Sequence, residues 1–141
     1  LKATIAVPSA NGTTQWSVAT AHTSTPMMLE RFNNRTEEMV AIARVTNDMS
    51  PPAILSGDFN CVPWSQYFAR LEKDSGMRNS GRGLLPELTW TGDLPPFARI
   101  PIDHILVSPQ VATQSHEQLR AIGSDHYPIF VKLSDCGRVN F

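Results

Sequence analysis

Several β-rich apolar runs in this chain end in short polar motifs, and that pattern restricts its fold more than any other feature. Thr20-Ala21-His22-Thr23-Ser24-Thr25-Pro26 closes one run, and Ser56-Gly57-Asp58-Phe59-Asn60 closes another. Pro101-Ile102-Asp103-His104-Ile105 opens a third, and Ser124-Asp125-His126-Tyr127-Pro128 precedes a fourth. Charge placed inside a core is costly, whereas the ends of strands can carry it into a solvent-lined cleft. The motifs therefore predict an α/β fold whose strand ends gather His22, Asp58, Asn60, Asp103, Asp125 and His126 in one polar site.

The order of elements agrees with this class. Thr4 to Val7 and Trp16 to Ala21 read as strands, with Asn11-Gly12 between them as an open hairpin with a loose loop. Thr23 to Asn33 reads as a polar connection. A helix is predicted from Asn34, whose spacing to Glu37 fits a capping box. Its apolar face is Met39, Ile42, Ala43, Val45, Thr46 and Met49. Pro51-Pro52 stops it and launches Ala53-Ile54-Leu55-Ser56, so strand, helix and strand follow in the βαβ sense.

A second short helix runs from Pro63 and Ser65 to about Lys73, burying Tyr67, Phe68 and Leu71. Gly76 to Pro86 reads as irregular, Leu88-Thr89-Trp90 as a short strand and Thr91 to Arg99 as a loop. Ile100 to Val107 is a strand interrupted early by Pro101. Gln110 to Arg120 carries only weak helix or loop signal, and Ile129 to Leu133 is the last strand.

Size and composition fit one domain, 1–141, with 41 % apolar and 18 % charged residues. The formal net charge of -1 argues against a surface covered in phosphate contacts. Arg70, Lys73, Arg78 and Arg82 are read as a solvated helix face and loop rather than a basic groove. Cys61 and Cys136 allow one disulfide at most, and are read as two small, partly buried thiols. No run approaches the roughly 20 apolar residues of a membrane span, and the start carries no signal-peptide pattern. Leu1 is not an initiator residue, so the chain is expected to be a piece of something longer.

Each polar residue has a chemical reading. Asp58 and Asn60 are two positions apart, so both point one way while Phe59 points into the core. Asp58 can hold a cation or a water, and Asn60 can donate an uncharged hydrogen bond to an anionic oxygen. Asp103 lies in a hydrophobic strand and needs a partner, either His126 or the nearby Arg99. His126 can take a proton from water near neutrality, and Asp125 suits an oxygen-seeking cation. His22 can donate to a phosphoryl oxygen. His104 is read as a structural or rim histidine, and His116 as solvated.

Gly57-Asp58-Phe59-Asn60, Ile102-Asp103-His104-Ile105 and Ser124-Asp125-His126-Tyr127-Pro128, in this order, resemble the motifs of the endonuclease/exonuclease/phosphatase superfamily. Thr20-Ala21-His22-Thr23-Ser24 is similar to the histidine motif of pancreatic-type deoxyribonuclease, and Thr89-Trp90 also fits. The resemblance spans about Trp16 to Leu133. It implies a four-layer α/β sandwich with two facing mixed sheets, of which this chain matches the C-terminal half.

It further implies a metal-dependent phosphoesterase using Mg²⁺, with Mn²⁺ as an alternative. His126, oriented by Asp103, would activate water. Asp58 would position that water, Asn60 and His22 would stabilise phosphoryl oxygens, and Asp125 would bind metal. The family's N-terminal half supplies an asparagine and the main glutamate ligand, and no segment here fits them. The expected partners are a phosphate-ester substrate, DNA among them, and either the missing N-terminal half or a second copy of the chain.

A nuclease, a phosphatase or phosphodiesterase acting on small molecules or lipid headgroups, and an inert or interaction module all remain open. Bacterial relatives with an N-terminal membrane segment imply an extracytoplasmic or membrane-anchored parent.

Overall fold

Strand β1 (Lys2–Ser9) pairs antiparallel with β2 (Gly12–His22), with Ser9 opposite Gly12. The hairpin is thus tighter than the expected open loop, because pairing continues to the ends of both strands. The computed structural model describes residues 1–9, 12–25, 29–83, 86–91 and 93–136, so the hairpin tip lies outside the described residues.

The first helix, α1 (Leu29–Asn47), starts five residues before the predicted cap at Asn34. Leu29, Glu30 and Arg31 are adequate helix formers, and no breaker separates them from the periodic segment. The Glu38 carboxylate, rather than Glu37, fastens the helix to the preceding chain. It accepts the Ser24 backbone N–H at 2.7 Å and the Ser24 hydroxyl at 2.9 Å. Met39, Ala43, Thr46 and Met49 are buried as predicted, while Val45 is exposed.

Behind α1 the chain enters β3 (Ala53–Asp58), which runs parallel to β2. The second helix, α2 (Gln66–Ser75), begins where the Ser65 hydroxyl accepts the Tyr67 N–H, and ends at Gly76 in the left-handed conformation. Phe68 and Leu71 are buried on its inner face.

Three of the sequence expectations fail downstream. Gly76 to Pro86 contains a two-residue strand, β4 (Arg78–Asn79), pairing with β5 (Asp103–Val107). The stretch read as weak helix or loop is β6 (Val111–Gln118), paired with β7 (Ile129–Asp135). A register shift between Thr113 and Ser115 breaks the alternation that would have revealed β6. Leu88-Thr89-Trp90 does not form a full strand, since Trp90 alone bridges to Ile100 and to His126.

The larger sheet has the order β1-β2-β3-β5-β4 and the smaller one pairs β6 with β7. Alternation in the central strands feeds two cores. Ala53, Leu55 and Leu106 pack with Met39, Ala43, Phe68 and Leu71 under the helices. Ile54, Ile105 and Val107 pack on the other face with Trp16, Val111 and Leu133. This gives helices, a five-stranded mixed sheet and a two-stranded sheet, in the α/β class expected. Ile5 on β1 and Phe130 on β7 are exposed, at 44 % and 50 %.

Candidate active site

The pairing register across β2, β3 and β5 aligns the polar strand ends. His22 sits opposite Asp58 in the parallel pair, and Asp58 sits opposite Asp103 in the antiparallel pair. One edge of the sheet thereby collects residues separated by 81 positions in sequence (103 − 22). Gly57 makes the approach of β2 and β3 possible. Its φ is +155°, and a Cβ there would lie 1.8 Å from the Ala21 carbonyl oxygen.

Phe59 is fully buried, with its ring edge-on to Phe68, while Asp58 before it lines the cleft. Asn60 has φ +46°, a conformation asparagine tolerates. Its backbone N–H donates to Asp58 Oδ1 at 2.8 Å. Its side-chain amide donates to the Thr23 carbonyl at 2.8 Å and approaches Asp58 Oδ2 at 3.3 Å. The buried Arg35 donates to the Asn60 carbonyl at 2.8 Å, a support from mid-helix that the sequence motifs did not indicate.

Asp103 Oδ2 lies 2.8 Å from His126 Nδ1. Arg99, the rival partner, donates to the Leu94 carbonyl and lies over the Tyr127 ring. Thr89 is fully buried, and its hydroxyl accepts the Asp103 N–H at 3.3 Å. The Thr89 carbonyl accepts the Tyr127 N–H at 2.9 Å. Thr89 thus ties the strand carrying Asp103 to the segment carrying His126.

Asp58, Asp103 and His126 each present a ligating atom within 4.8 Å of the others. His22 Nε2 is 3.5 Å from Asp58 Oδ2, with the His22 side chain 75 % exposed. Burial raises the Asp58 pKa, the Asn60 N–H lowers it, and the facing Asp103 charge raises it further. A proton or a cation beside Asp58 is therefore favoured. The structure thus brings together His22, Asp58, Asn60, Asp103 and His126. Asp125 is exposed beside the Ser124 hydroxyl, outside the three-residue cluster.

The two remaining histidines are structural. His104 is buried against Phe68, with Nε2 at 2.8 Å from the Cys61 carbonyl and Nδ1 at 3.4 Å from the Asn79 amide. Those partners suit a neutral ring protonated at Nε2. Burial lowers its pKa, outweighing the Cys61 carbonyl.

His116 is not solvated as expected. Its side chain is 3 % exposed, with Nε2 3.2 Å from Glu87 Oε2, though poorly aligned, and Nδ1 3.0 Å from the Ser80 hydroxyl. The polar composition of β6 concealed this, because the covering partners come from a loop distant in sequence. Cys61 is buried and Cys136 exposed, both as free thiols.

Two cavities adjoin at Asp103 and His104. One, of about 350 Å³, includes Asp58, Asp103, His126 and Tyr127. The other, of about 390 Å³, extends from Asp103 past Trp64, Asn79 and Arg82.

Among the curated proteins none matches this chain. Among solved structures, a functionally unknown conserved protein from Enterococcus faecalis V583 is 21 % identical with a TM-score of 0.72, covering 89 % of this chain and 52 % of that one. The human Nocturnin catalytic domain with bound sulfate anion is 19 % identical with a TM-score of 0.64, covering 95 % of this chain and 52 % of that one. A mannosyl-6-phosphatase from Bacteroides thetaiotaomicron VPI-5482 is 20 % identical with a TM-score of 0.56, covering 86 % of this chain and 51 % of that one. The chain therefore spans about half the length of these structures. At these identities the likeness shows a shared fold. The profile of the Endonuclease/Exonuclease/phosphatase family matches residues 3–126, and the chain belongs to that family.

Proposed function

We propose that residues 1–141 are the C-terminal portion of a metal-dependent phosphoesterase domain that cleaves phosphodiesters, with DNA the first polymer to test. The observation that carries this reading is the 2.8 Å contact of Asp103 Oδ2 with His126 Nδ1 beside Asp58. A histidine held through Nδ1 by a carboxylate keeps Nε2 as the atom that can take a proton.

The donor set fits a hard divalent cation. Asp58 presents its carboxylate across the strand pair from Asp103, and burial together with the facing Asp103 charge raises its pKa, so a cation beside it would be favourable. Asp58 would help hold Mg²⁺ or Mn²⁺, with Asp125 proposed as the further ligand that its motif implies, while Asp103 stays with His126. Bound there, the ion would supply positive charge to the phosphate and leaving group.

The chain's own residues perform the remaining work. His126 Nε2 accepts the proton of the attacking water while Asp103 stabilises the resulting imidazolium. Asp58 orients the water. Asn60 and His22 donate to the non-bridging oxygens as negative charge builds there. To do so, Asn60 redirects the amide proton facing Asp58 at 3.3 Å and keeps its bond to Thr23. No serine or cysteine nucleophile is required.

Two features support a partner beyond this segment. The chain spans about half of its structural neighbours, and Ile5 and Phe130 leave apolar surface uncovered. We assign that role to the rest of the same domain, with self-association as the alternative.

The test is an activity screen of the full-length protein with Mg²⁺ on plasmid DNA, RNA, inositol polyphosphates and sphingomyelin. Phosphate release from a monoester with DNA left intact would favour a phosphatase, in line with the mannosyl-6-phosphatase neighbour. Turnover of none of them would reject the enzymatic reading and leave an interaction module.

A further inference from the structure

Beside the proposed catalytic cleft lies the second cavity, of about 390 Å³, lined by Trp64, Glu72, Asn79, Arg82, Glu87 and Asp103. It shares Asp103 with the catalytic groups, so a substrate phosphate at Asp58 and His126 has this cavity as its immediate neighbour. Trp64 is 68 % exposed, only four residues beyond Asn60. Lining that cavity, its exposed indole offers a face on which a planar group can stack.

The charges of the cavity narrow what can stack there. Three carboxylates line it, and each already has a partner. Glu72 Oε1 accepts the Asn79 N–H at 2.7 Å, Glu87 faces His116, and Asp103 holds His126. Arg82 is exposed and forms no ion pair with a described residue. Such a wall repels a second phosphate deep in the cavity and so disfavours inositol polyphosphates. It offers acceptors and donors to a flat, neutral group carrying both. A quaternary ammonium could use the carboxylates and the indole, but it has no use for the donors of Asn79 and Arg82.

We propose that this cavity takes an unpaired nucleobase stacked on Trp64, with Arg82 contacting the adjoining backbone phosphate. The assignment makes the substrate a nucleotide-bearing phosphodiester in single-stranded form. It rests on the phosphoesterase reading for the placement of the scissile phosphate. Base pairing would hide the polar edge that the cavity reads, and stacking on one indole favours a base free of its own duplex.

The test is tryptophan emission of the full-length protein with divalent metal chelated, so that nothing turns over. The probes are a single-stranded DNA oligonucleotide, an abasic oligonucleotide of equal length, and phosphocholine. The base-bearing strand is expected to quench emission and to bind about 5- to 100-fold tighter than the abasic one. Trp64→Ala should remove the quench and the preference, whereas Trp64→Phe should retain much of the preference. Equal affinity for the two strands, a preference that survives Trp64→Ala, or quenching by phosphocholine instead would overturn the assignment.

His126→Ala separates this inference from the catalytic one. It should abolish turnover of bis(p-nitrophenyl) phosphate with Mg²⁺ while base preference persists. A wild-type protein that prefers bases but hydrolyses no phosphoester would sink the phosphoesterase reading and uphold the nucleobase site.

Discussion

Replacing Asp103 by Asn tests the central contact of the site. The substitution keeps the side-chain shape and one acceptor oxygen, but removes the charge 2.8 Å from His126 Nδ1. Asn can also present its amide N–H to that nitrogen, which holds the ring in the wrong tautomer with Nε2 protonated. General-base catalysis by a positioned histidine contributes roughly 10²–10⁴-fold. Asp103 and His126 retain 22 % and 29 % side-chain exposure, so water can partly replace the lost contact. The lower part of that range applies, a fall in kcat of about 10²- to 10³-fold, or about 3–4 kcal/mol of transition-state stabilisation. The assay is steady-state hydrolysis of bis(p-nitrophenyl) phosphate by the full-length protein across a Mg²⁺ titration. A deficit that persists at saturating Mg²⁺ is the expected outcome. Unchanged kcat, or a deficit erased by added Mg²⁺, would refute orientation as the role of Asp103 and make it a metal ligand instead.

Other consequences can be measured directly. The raised Asp58 pKa means that the unfolded chain ionises first, near 3.8, while the folded chain keeps its proton to higher pH. Stability is therefore lost as pH rises through that window. Urea melts in chelator should show Asp58→Asn gaining on wild type from pH 4 to 7, with reduced activity; an advantage that shrinks with pH would contradict the shift. His104 has a lowered pKa, so its contribution runs the other way: stability falls as pH drops below about 6.5, a slope His104→Gln should flatten in the same melts. Gly57→Ala should lower Tm and disrupt the site together, since the added carbon meets a backbone oxygen at 1.8 Å. Phe59→Ala, at a fully buried ring, should cost about 3–5 kcal/mol by urea denaturation. Calorimetry should find Mg²⁺ bound more weakly by residues 1–141 alone than by the full-length protein; equal, tight binding would mean that the ligand set is already complete here.

Where local chemistry dominated, the sequence was legible. The continuous apolar run Ala53-Ile54-Leu55 is the central strand, and Ser65 and Gly76 bound α2 as capping chemistry requires. The alternation of Asp58 and Phe59 predicted that the first would line the cleft and the second be buried. Legibility failed where long-range pairing overrode local signal. A bulge hid β6, a two-residue strand hid in a glycine-rich stretch, and His116 received its burial from Ser80 and Glu87. The exposed position of Asp125 was equally invisible, because its adjacency to His126 fixes neither its direction nor its neighbours. Trp64 and Arg82 are distant in sequence, and only the fold brings them to one cavity.

The close approach at Gly57 also bears on folding fidelity. Sliding β3 by one residue against β2 would bring Ser56 or Asp58 to the Ala21 carbonyl, and each carries a Cβ where only hydrogen fits. The same slip would turn Asp58 away from the cleft. A mispaired chain therefore meets a steric obstacle at the very place where mispairing would ruin the chemistry. One-residue insertions between Ala53 and Gly57 should consequently leave more protein aggregated than catalytically altered. Insertions between Thr91 and Arg99, outside the pairing of β2 with β3, should be borne far better.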